Sequence, residues 1–438
     1  MTQRKYYIET YGCQMNAADS ELVAGLLEEM QLVACSDPSD ADLIIVNSCS
    51  VRAGADARAL ARLSQFKSLK AQNPRLRLGL IGCVAQRDKG KIIAQRPYID
   101  FVLGPDSYRQ IPTIINDLST PVVQTHLSCI ETYEGLLPRR QKGVNAWIPI
   151  MRGCNKFCSF CIVPYVRGRE RSRSVDSILQ EVKQAVSDGF KEVTLLGQNV
   201  NSYQYESYRF ADLLDAIARV EGLYRIRYTS PHPADISIYL LEVMRAHKNI
   251  CKHIHLPLQA GSDRILQAMN RNYTQNHYLQ LVETIRKYLL DVAITTDIIV
   301  GFPGETESDF LQTVKVMETV IFDAAFMFQY SPRPGTKAAQ LVDDVPLAEK
   351  QKRLEQIIAL QKMHTLQRNQ ALVGTVQEIL IEGNSKKRPG EKIGRTDTNK
   401  ITIIKNGQAE IGSLVEVRID KALGVSLFGS VLNQERAK

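Results

Sequence analysis

The sequence predicts an α/β protein with an N-terminal open parallel α/β sheet, a central partial (β/α)6 barrel and a small C-terminal antiparallel β-barrel. Three observations support this. Strand-like apolar runs alternate with helical patterns over residues 1–125, six more strand–helix units follow over residues 140–366, and residues 367–438 hold short β-like runs separated by Gly and Asn. Strands that alternate with helices form parallel sheets. Residues 126–139, with Gly135 and Pro138, are expected to form a linker.

The N-terminal domain is predicted from apolar runs at Tyr6–Glu9, Leu43–Asn47, Leu76–Ile81 and Phe101–Leu103. Helical patterns lie between them, at Asn16–Met30, Ala53–Gln72 and Gln86–Gln95. Asn16 and Asp19 stand where they would cap the first of these helices.

The central domain has six candidate strands: Trp147–Met151, Glu192–Gly197, Arg225–Thr229, His253–Leu258, Ala293–Val300 and Ala324–Tyr330. Amphipathic segments such as Val175–Asp188 and Tyr278–Tyr288 lie between them, and a polar helix at about Ala348–Gln370 leads out of the domain. Six consecutive units favour an incomplete barrel over a second open sheet. In such barrels the chemistry lies on loops at the carboxyl ends of the strands.

The C-terminal domain is predicted from runs at Val373–Glu382, Lys400–Ile404, Leu414–Ile419 and Leu427–Leu432. Short strands with Gly and Asn between them are typical of a small antiparallel barrel.

Composition excludes several classes of protein. The chain has 438 residues, 44% apolar and 23% charged, which is not the composition of a collagen, a disordered chain or a small disulfide scaffold. No apolar run reaches the ~18 residues that span a bilayer. The N-terminus lacks the apolar segment of a secretory signal. We therefore expect no membrane partner and a cytoplasmic, reducing location, where clustered cysteines are metal ligands or catalysts.

The first cluster of cysteines is Cys154-Asn-Lys-Phe-Cys158-Ser-Phe-Cys161, here called the loop triad (Cys154, Cys158 and Cys161). Three thiolates are too few to close a tetrahedral zinc site. Around a [4Fe–4S] cluster they leave one iron open, as a catalytic centre requires. The alternative is a zinc site with a distant fourth ligand. The C-x3-C-x2-C spacing, with an aromatic before the last Cys, resembles the signature of the radical S-adenosylmethionine (SAM) superfamily, whose members cleave SAM to a 5′-deoxyadenosyl radical.

A second set of cysteines, the sheet triad, consists of Cys13, Cys49 and Cys83, each separated from a predicted strand by one to three residues. Parallel strands end on one edge of their sheet, so three distant thiols would converge there. Small neighbours (Gly12, Ser48 and Gly82) would let the backbone approach a bulky cofactor. This triad predicts a second three-cysteine cluster, against the alternative of three ordinary buried thiols.

Two such triads followed by a basic β-barrel resemble the methylthiotransferase family over the whole chain. That resemblance implies a methylthiotransferase domain at 1–125, a radical SAM domain at 140–366 and a TRAM RNA-binding domain at 367–438. It also implies two [4Fe-4S] clusters, one SAM as methyl donor and a second SAM as radical source. The substrate implied is N6-isopentenyladenosine next to the anticodon of tRNA. The strings that carry it are Tyr11–Asn16, Asn47–Arg52, Arg152–Cys158, Ile162–Arg173 and Leu196–Tyr203.

Residues that would contact SAM are expected at the carboxyl ends of the barrel strands. The candidates are Gly197, Gln198, Asn199, Ser230, Gln259, Asp297 and Gly301. A purely structural role for each polar member is an equally open alternative. His253 and His255 share a strand face and either touch cofactor or pack the barrel, and Cys35, Cys129 and Cys251 have no partner at ligand spacing.

The charge pattern indicates an anionic partner. The net charge is +8, and residues 139–173 hold nine Lys/Arg and one acid. Within that stretch four alternating arginines would clamp phosphates unless acidic residues inside the protein pair with them: Arg167, Arg169, Arg171 and Arg173. A C-terminal basic loop would suit an RNA backbone: Lys386, Lys387, Arg388, Lys392 and Arg395.

The partners implied are the anticodon stem-loop of tRNA and a reducing electron-transfer protein, and a monomer is expected. Two alternatives stay open. One is a methylthiotransferase that acts on threonylcarbamoyl-adenosine in tRNA, and the other is a non-catalytic, metal-containing RNA-binding protein.

Overall fold

The computed structural model describes residues 3–51, 53–386, 389–405 and 409–433. Lys387 and Arg388 of the predicted basic loop lie outside the described residues. In the described part of the chain, no helix is long and apolar enough to cross a membrane.

The N-terminal domain is a six-stranded, fully parallel sheet. Residues alternate between its two faces: Leu43 and Ile45 pack on one side, whereas Ile44 and Val46 pack on the other. Because helices cover both faces, the strands are apolar throughout. In spatial order the strands are Val33–Ala34, Lys5–Tyr11, Leu43–Ser48, Arg77–Gly82, Phe101–Leu103 and Val122–Gln124. The helices are Gln14–Glu29, Ala53–Gln72, Cys83–Asp88, Lys91–Gln95 and Ile111–Asn116.

Two short edge strands of this sheet, Val33–Ala34 and Val122–Gln124, were not predicted. Neither has the length or the apolar alternation that marks a strand in a sequence. Residues 126–139 contain no helix or strand. They lie against the domain, since the Tyr133 ring stacks on Tyr108.

The central domain is a partial barrel of six parallel strands in chain order. Two three-stranded sheets are joined by a parallel bridge between Ile226 and Ile250. The strands are Asn145–Pro149, Glu192–Leu196, Arg225–Tyr228, His253–His255, Ala293–Val300 and Ala324–Gln329. The longer helices are Val175–Ser187, Phe210–Ala218, Ile238–Ala246, Gln275–Tyr288, Glu307–Val320 and Leu347–Gln370.

The C-terminal domain is a closed five-stranded barrel. One strand, Lys392–Thr396, was missed in the sequence because its Gly and charged residues give no apolar run. The predicted antiparallel barrel is confirmed: four of its strand pairs are antiparallel, and in the fifth Ile401–Ile404 runs parallel to Ser426–Asn433. The other strands are Val376–Asn384 and Leu414–Leu423.

Candidate functional site

The loop triad lies on the loop after the short strand Met151–Arg152. Gly153 allows this loop to turn: its φ is 80°, and a Cβ there would lie 1.9 Å from the carbonyl oxygen of Arg169. Burial raises the pKa of the Cys161 thiol to about 12, with smaller contributions from the neighbouring Cys158 and Cys154. The three thiols are therefore within electrostatic range of one another.

An arginine, Arg271, forms a hydrogen bond with this triad. Arg271 is buried and donates from Nη1 to the Sγ of Cys158 at 3.3 Å. Its other donors have protein partners, the Tyr273 hydroxyl at 2.9 Å and the Pro257 carbonyl at 3.1 Å. These hydrogen bonds fix the guanidinium beside Cys158, and charge-assisted hydrogen bonds of this kind are strong.

The sheet triad follows three adjacent strands whose ends are aligned. Tyr11 pairs with Ser48, and Ser48 pairs with Gly82, so Cys13, Cys49 and Cys83 each follow the aligned end by one or two residues. The register of the parallel sheet therefore brings together three thiols that are far apart in sequence.

The thiols of the sheet triad affect one another's pKa. The pKa of Cys13 is lowered, first by its hydrogen bond with Cys49 and also by the charge of Arg167. The pKa of Cys49 is raised, first by Cys13 and also by Cys83.

The small residues beside the sheet triad allow its loops to pack closely against one another. A Cβ on Gly12 would lie 2.8 Å from the Cβ of Cys49. Asn16 joins the loops by donating from Nδ2 to Asn47 Oδ1 at 3.0 Å and to the carbonyl of Ser48 at 3.1 Å. Sequence reasoning assigned no such role to Asn47, whose signal was a polar residue near the end of an apolar strand.

The prediction that Asp19 caps the first helix was wrong. Cys13 stands at the cap position, and Asn16 accepts from its amide at 3.4 Å. Asp19 is fully buried and forms ion pairs with Arg152 at 2.8 Å and Arg167 at 2.7 Å, both from the central domain. A buried carboxylate needs such partners, and here they join the two domains beside the sheet triad.

The prediction that four arginines clamp phosphates was wrong for three of them. Besides the Arg167 pair, Arg171 binds Asp106 and Arg173 binds Glu181, all buried. Only Arg169 is exposed, over the Phe157 ring at 4.3 Å. The first of the four, Arg167, ends the helix Val163–Arg167.

One cavity of about 930 Å³ lies where the three domains meet. Cys13 of the sheet triad and Cys161 of the loop triad both line it. Three predicted SAM contacts line it as well: Ser230, Gln259 and Asp297. The C-terminal barrel contributes Arg395, Thr398, Asn399, Lys400, Ile401 and Val425. No pattern in the sequence indicated that this barrel closes the cavity.

Two predicted contacts, Gly197 and Gly301, lie outside this cavity lining. Both are packed too closely for a side chain. A Cβ on Gly197 would lie 2.7 Å from Met151 Cγ, and a Cβ on Gly301, whose φ is 69°, would lie 2.3 Å from Lys350 Cγ. Their packing accounts for glycine at both positions, and SAM contact there stays a prediction.

Gln198 and Asn199 also lie outside the lining. Gln198 accepts a hydrogen bond from the amide of Gly153 and so supports the turn into the loop triad. Asn199 is buried and donates from Nδ2 to Asp235 at 2.9 Å. Both hold the loops at the strand ends, and their contact with SAM stays a prediction.

Three family descriptions match successive parts of the chain. They are the Uncharacterized protein family UPF0004 over residues 5–104, the Radical SAM superfamily over 148–317 and the TRAM domain over 370–432. A tRNA-2-methylthio-N(6)-dimethylallyladenosine synthase of Carboxydothermus hydrogenoformans is 45% identical, covering 96% of this chain and 97% of its own. The protein of that name from Syntrophomonas wolfei is 47% identical, covering 98% of both.

The chain belongs to the tRNA-2-methylthio-N(6)-dimethylallyladenosine synthase family.

Solved structures share the fold of this family member. The radical SAM methyltransferase TsrM from Kitasatospora setae, with cobalamin and a [4Fe-4S] cluster bound, has a TM-score of 0.58 at 13% identity, covering 77% of each chain. The cobalamin-dependent SAM radical enzyme OxsB has a TM-score of 0.54 at 11% identity, covering 81% of this chain and 56% of its own.

The cysteine thiols of this chain fit iron–sulfur clusters. Each triad supplies three thiols, which suits a cluster with one open iron. Among the described residues, no group of three His, Cys, Asp or Glu side chains is arranged to hold a single metal ion. A four-iron cluster is larger than one ion, so its ligands stand farther apart. A buried donor without a partner, Nη2 of Arg167, lies beside the sheet triad.

Proposed function

We propose that this chain is a radical SAM methylthiotransferase that converts N6-isopentenyladenosine next to the anticodon of tRNA into its 2-methylthio derivative. One SAM is the methyl donor and a second is the source of the 5′-deoxyadenosyl radical. The observation that carries the proposal is that Cys13 and Cys161, one from each triad, line the same cavity. A base held in that cavity is within reach of both centres, and methylthiolation needs both.

Cys154, Cys158 and Cys161 would hold the first [4Fe-4S] cluster, and Cys13, Cys49 and Cys83 the second. When bound, these clusters and SAM supply the radical chemistry and the methylthio group. The residues of the chain orient the reactants. Ser230 and Gln259 have φ of 57° and 68° and both line the cavity, and strained backbone of this kind is typical of ligand sites. Asp297 lies 3.3 Å from His255 on the same wall.

The cavity has an apolar wall that favours an isopentenyl substituent. Phe326 and Phe328 lie two residues apart on the last barrel strand and are 55% and 40% exposed. Both line the cavity, together with Val51, Ile401 and Val425. An apolar wall of this kind gains by burying a prenyl group. It would leave the polar groups of a threonylcarbamoyl substituent without hydrogen bonds, at a cost in binding. The wall therefore supports isopentenyladenosine over that alternative.

Binding of the anticodon stem-loop is proposed to involve the C-terminal barrel. Lys386 is exposed and Lys392 is partly exposed, and such charges suit an RNA backbone. The target base must leave its stack to enter the cavity. We further infer a cytoplasmic monomer that receives electrons from a reducing electron-transfer protein.

The test is an anaerobic reaction of the reconstituted protein with SAM, a reductant and tRNA that carries isopentenyladenosine, followed by mass spectrometry of the nucleosides. The expected product is the 2-methylthio derivative. Product formed only from tRNA with threonylcarbamoyl-adenosine would instead support the other methylthiotransferase activity. Metal analysis is expected to find about eight irons per chain. Stoichiometric zinc without sulfide would support a non-catalytic RNA-binding protein.

A further inference from the structure

Arg167 follows the loop triad in the chain, and its side chain contacts the sheet triad. It ends the short helix Val163–Arg167, which begins two residues after Cys161 of the loop triad. Its Nε donates to the Sγ of Cys83 in the sheet triad at 3.3 Å. The residue is 3% exposed, so water does not screen this contact.

The donors of Arg167 are only partly used by the protein. Nη1 lies 2.7 Å from Asp19 Oδ2, as an ion pair without hydrogen-bond geometry. Nη2 is buried and has no hydrogen-bond partner in the described part of the chain. Buried donors are nearly always satisfied. Arg271 at the loop triad is the contrast, because its Nε, Nη1 and Nη2 all have protein partners.

We propose that Arg167 is a positioning residue for the cluster of the sheet triad. Its Nε donates to the Cys83 sulfur, and its Nη2 donates to a sulfur of the cluster. These two hydrogen bonds hold the reduction potential of that cluster at a less negative value. The proposal rests on the assignment of a cluster to Cys13, Cys49 and Cys83 under the proposed function. Hydrogen bonds to sulfur and nearby positive charge stabilise the reduced, more negative form of a cluster.

Arg152 provides a matched control. It is buried to the same degree and forms an ion pair with the same carboxylate, Asp19, at 2.8 Å. In the described part of the chain Arg152 donates to none of the three thiols, whereas the Nε of Arg167 donates to the Sγ of Cys83. Removal of either arginine leaves Asp19 with one cation, so both variants perturb the domain junction similarly.

The experiment uses the full-length chain with the loop triad changed to Ala, reconstituted with iron and sulfide, so that only the sheet-triad cluster gives a signal. Its reduction potential is measured by redox titration followed by electron paramagnetic resonance. Arg167→Gln is expected to shift the potential to a more negative value, and Arg167→Lys, which keeps the charge, to shift it less. Arg152→Gln is expected to leave it near that of the parent.

Equal shifts for Arg167→Gln and Arg152→Gln, or no shift for Arg167→Gln with full iron content, would overturn the proposal. Failure of the parent protein to bind iron would instead overturn the assignment of the cluster. If Arg167→Gln does not fold, Arg167→Lys decides alone, because it retains the ion pair with Asp19. An unchanged potential and an unchanged spectrum in that variant would then count against the proposal.

Discussion

Arg227 of the central domain donates from Nη2 to the backbone carbonyl of Thr396 in the C-terminal barrel, at 2.8 Å. Its Nη1 donates to the carbonyl of Asp397 at 2.9 Å, and Arg225, two residues earlier, donates to the carbonyl of Glu378 at 2.7 Å. Both arginines are buried. Charge-assisted hydrogen bonds of this kind are strong. They fix the C-terminal barrel as a wall of the cavity.

The first prediction concerns Arg227. Its replacement by Ala leaves two carbonyls and the buried Glu192, 2.9 Å from Nε, without their partner. The free energy of unfolding is expected to fall by about 3–5 kcal/mol, as measured by urea denaturation. The control is Arg219→Ala, which removes an exposed ion pair with Asp215 and is expected to cost at most about 0.5 kcal/mol. Similar costs for the two variants would contradict the anchoring role.

The sequence could not predict this anchor, because Arg227 binds backbone carbonyls about 170 residues away and a carbonyl has no signature in a sequence. The sheet triad could be predicted, because the ends of parallel strands meet at one edge whatever the intervening sequence is. The arginines at 167–173 show the limit of charge patterns. Their alternation was visible, but Asp19 and Asp106, which neutralise two of them, lie in another domain.

The second prediction concerns the loop triad. Changing Cys154, Cys158 and Cys161 to Ala removes the thiols that would hold the SAM-binding cluster. Formation of 5′-deoxyadenosine and of methylthiolated nucleoside is expected to fall to background, because no open iron is left to bind SAM. The measurement is chromatography of the reaction products. The control is Cys251→Ala, since Cys251 is a buried thiol of the same domain that belongs to neither triad. Continued 5′-deoxyadenosine formation by the triple variant would refute the assignment.

The third prediction separates the two triads. Replacing Cys13, Cys49 and Cys83 by Ala is expected to halve the iron content and abolish methylthio transfer, while SAM cleavage to 5′-deoxyadenosine continues. The reason is that the loop triad lies on the central domain, which has its own core. Iron analysis and product nucleosides are measured together. Full iron content with normal methylthiolation would show that this triad holds no catalytic cluster.

The fourth prediction concerns RNA binding by the C-terminal barrel. The double variant Lys386→Gln and Lys392→Gln is expected to bind tRNA more weakly. The slope of log K against log salt should become shallower by about 1 for each phosphate that the variant no longer neutralises. Lys315→Gln, at an exposed position on the helix Glu307–Val320, is the control and should leave the slope unchanged. An unchanged affinity and slope in the double variant would place RNA binding elsewhere on the protein.

The fifth prediction concerns the apolar wall. Phe326 is 55% exposed and lines the cavity, and its ring packs edge-on against His255 with centroids 6.0 Å apart. In Phe326→Asn a prenyl group would bury less apolar surface at this position, and one apolar group in a pocket is worth about 1–3 kcal/mol of discrimination. The preference for isopentenylated over unmodified tRNA, measured as a ratio of kcat/KM values, is therefore expected to fall by about tenfold or more.

The control is Leu290→Asn, at an exposed residue that does not line the cavity, and it should leave the ratio unchanged. Packing against a prenyl group can affect only the tRNA that carries one. If Phe326→Asn lowers kcat/KM equally for both tRNAs, the ring therefore shapes the cavity but does not contact the prenyl group.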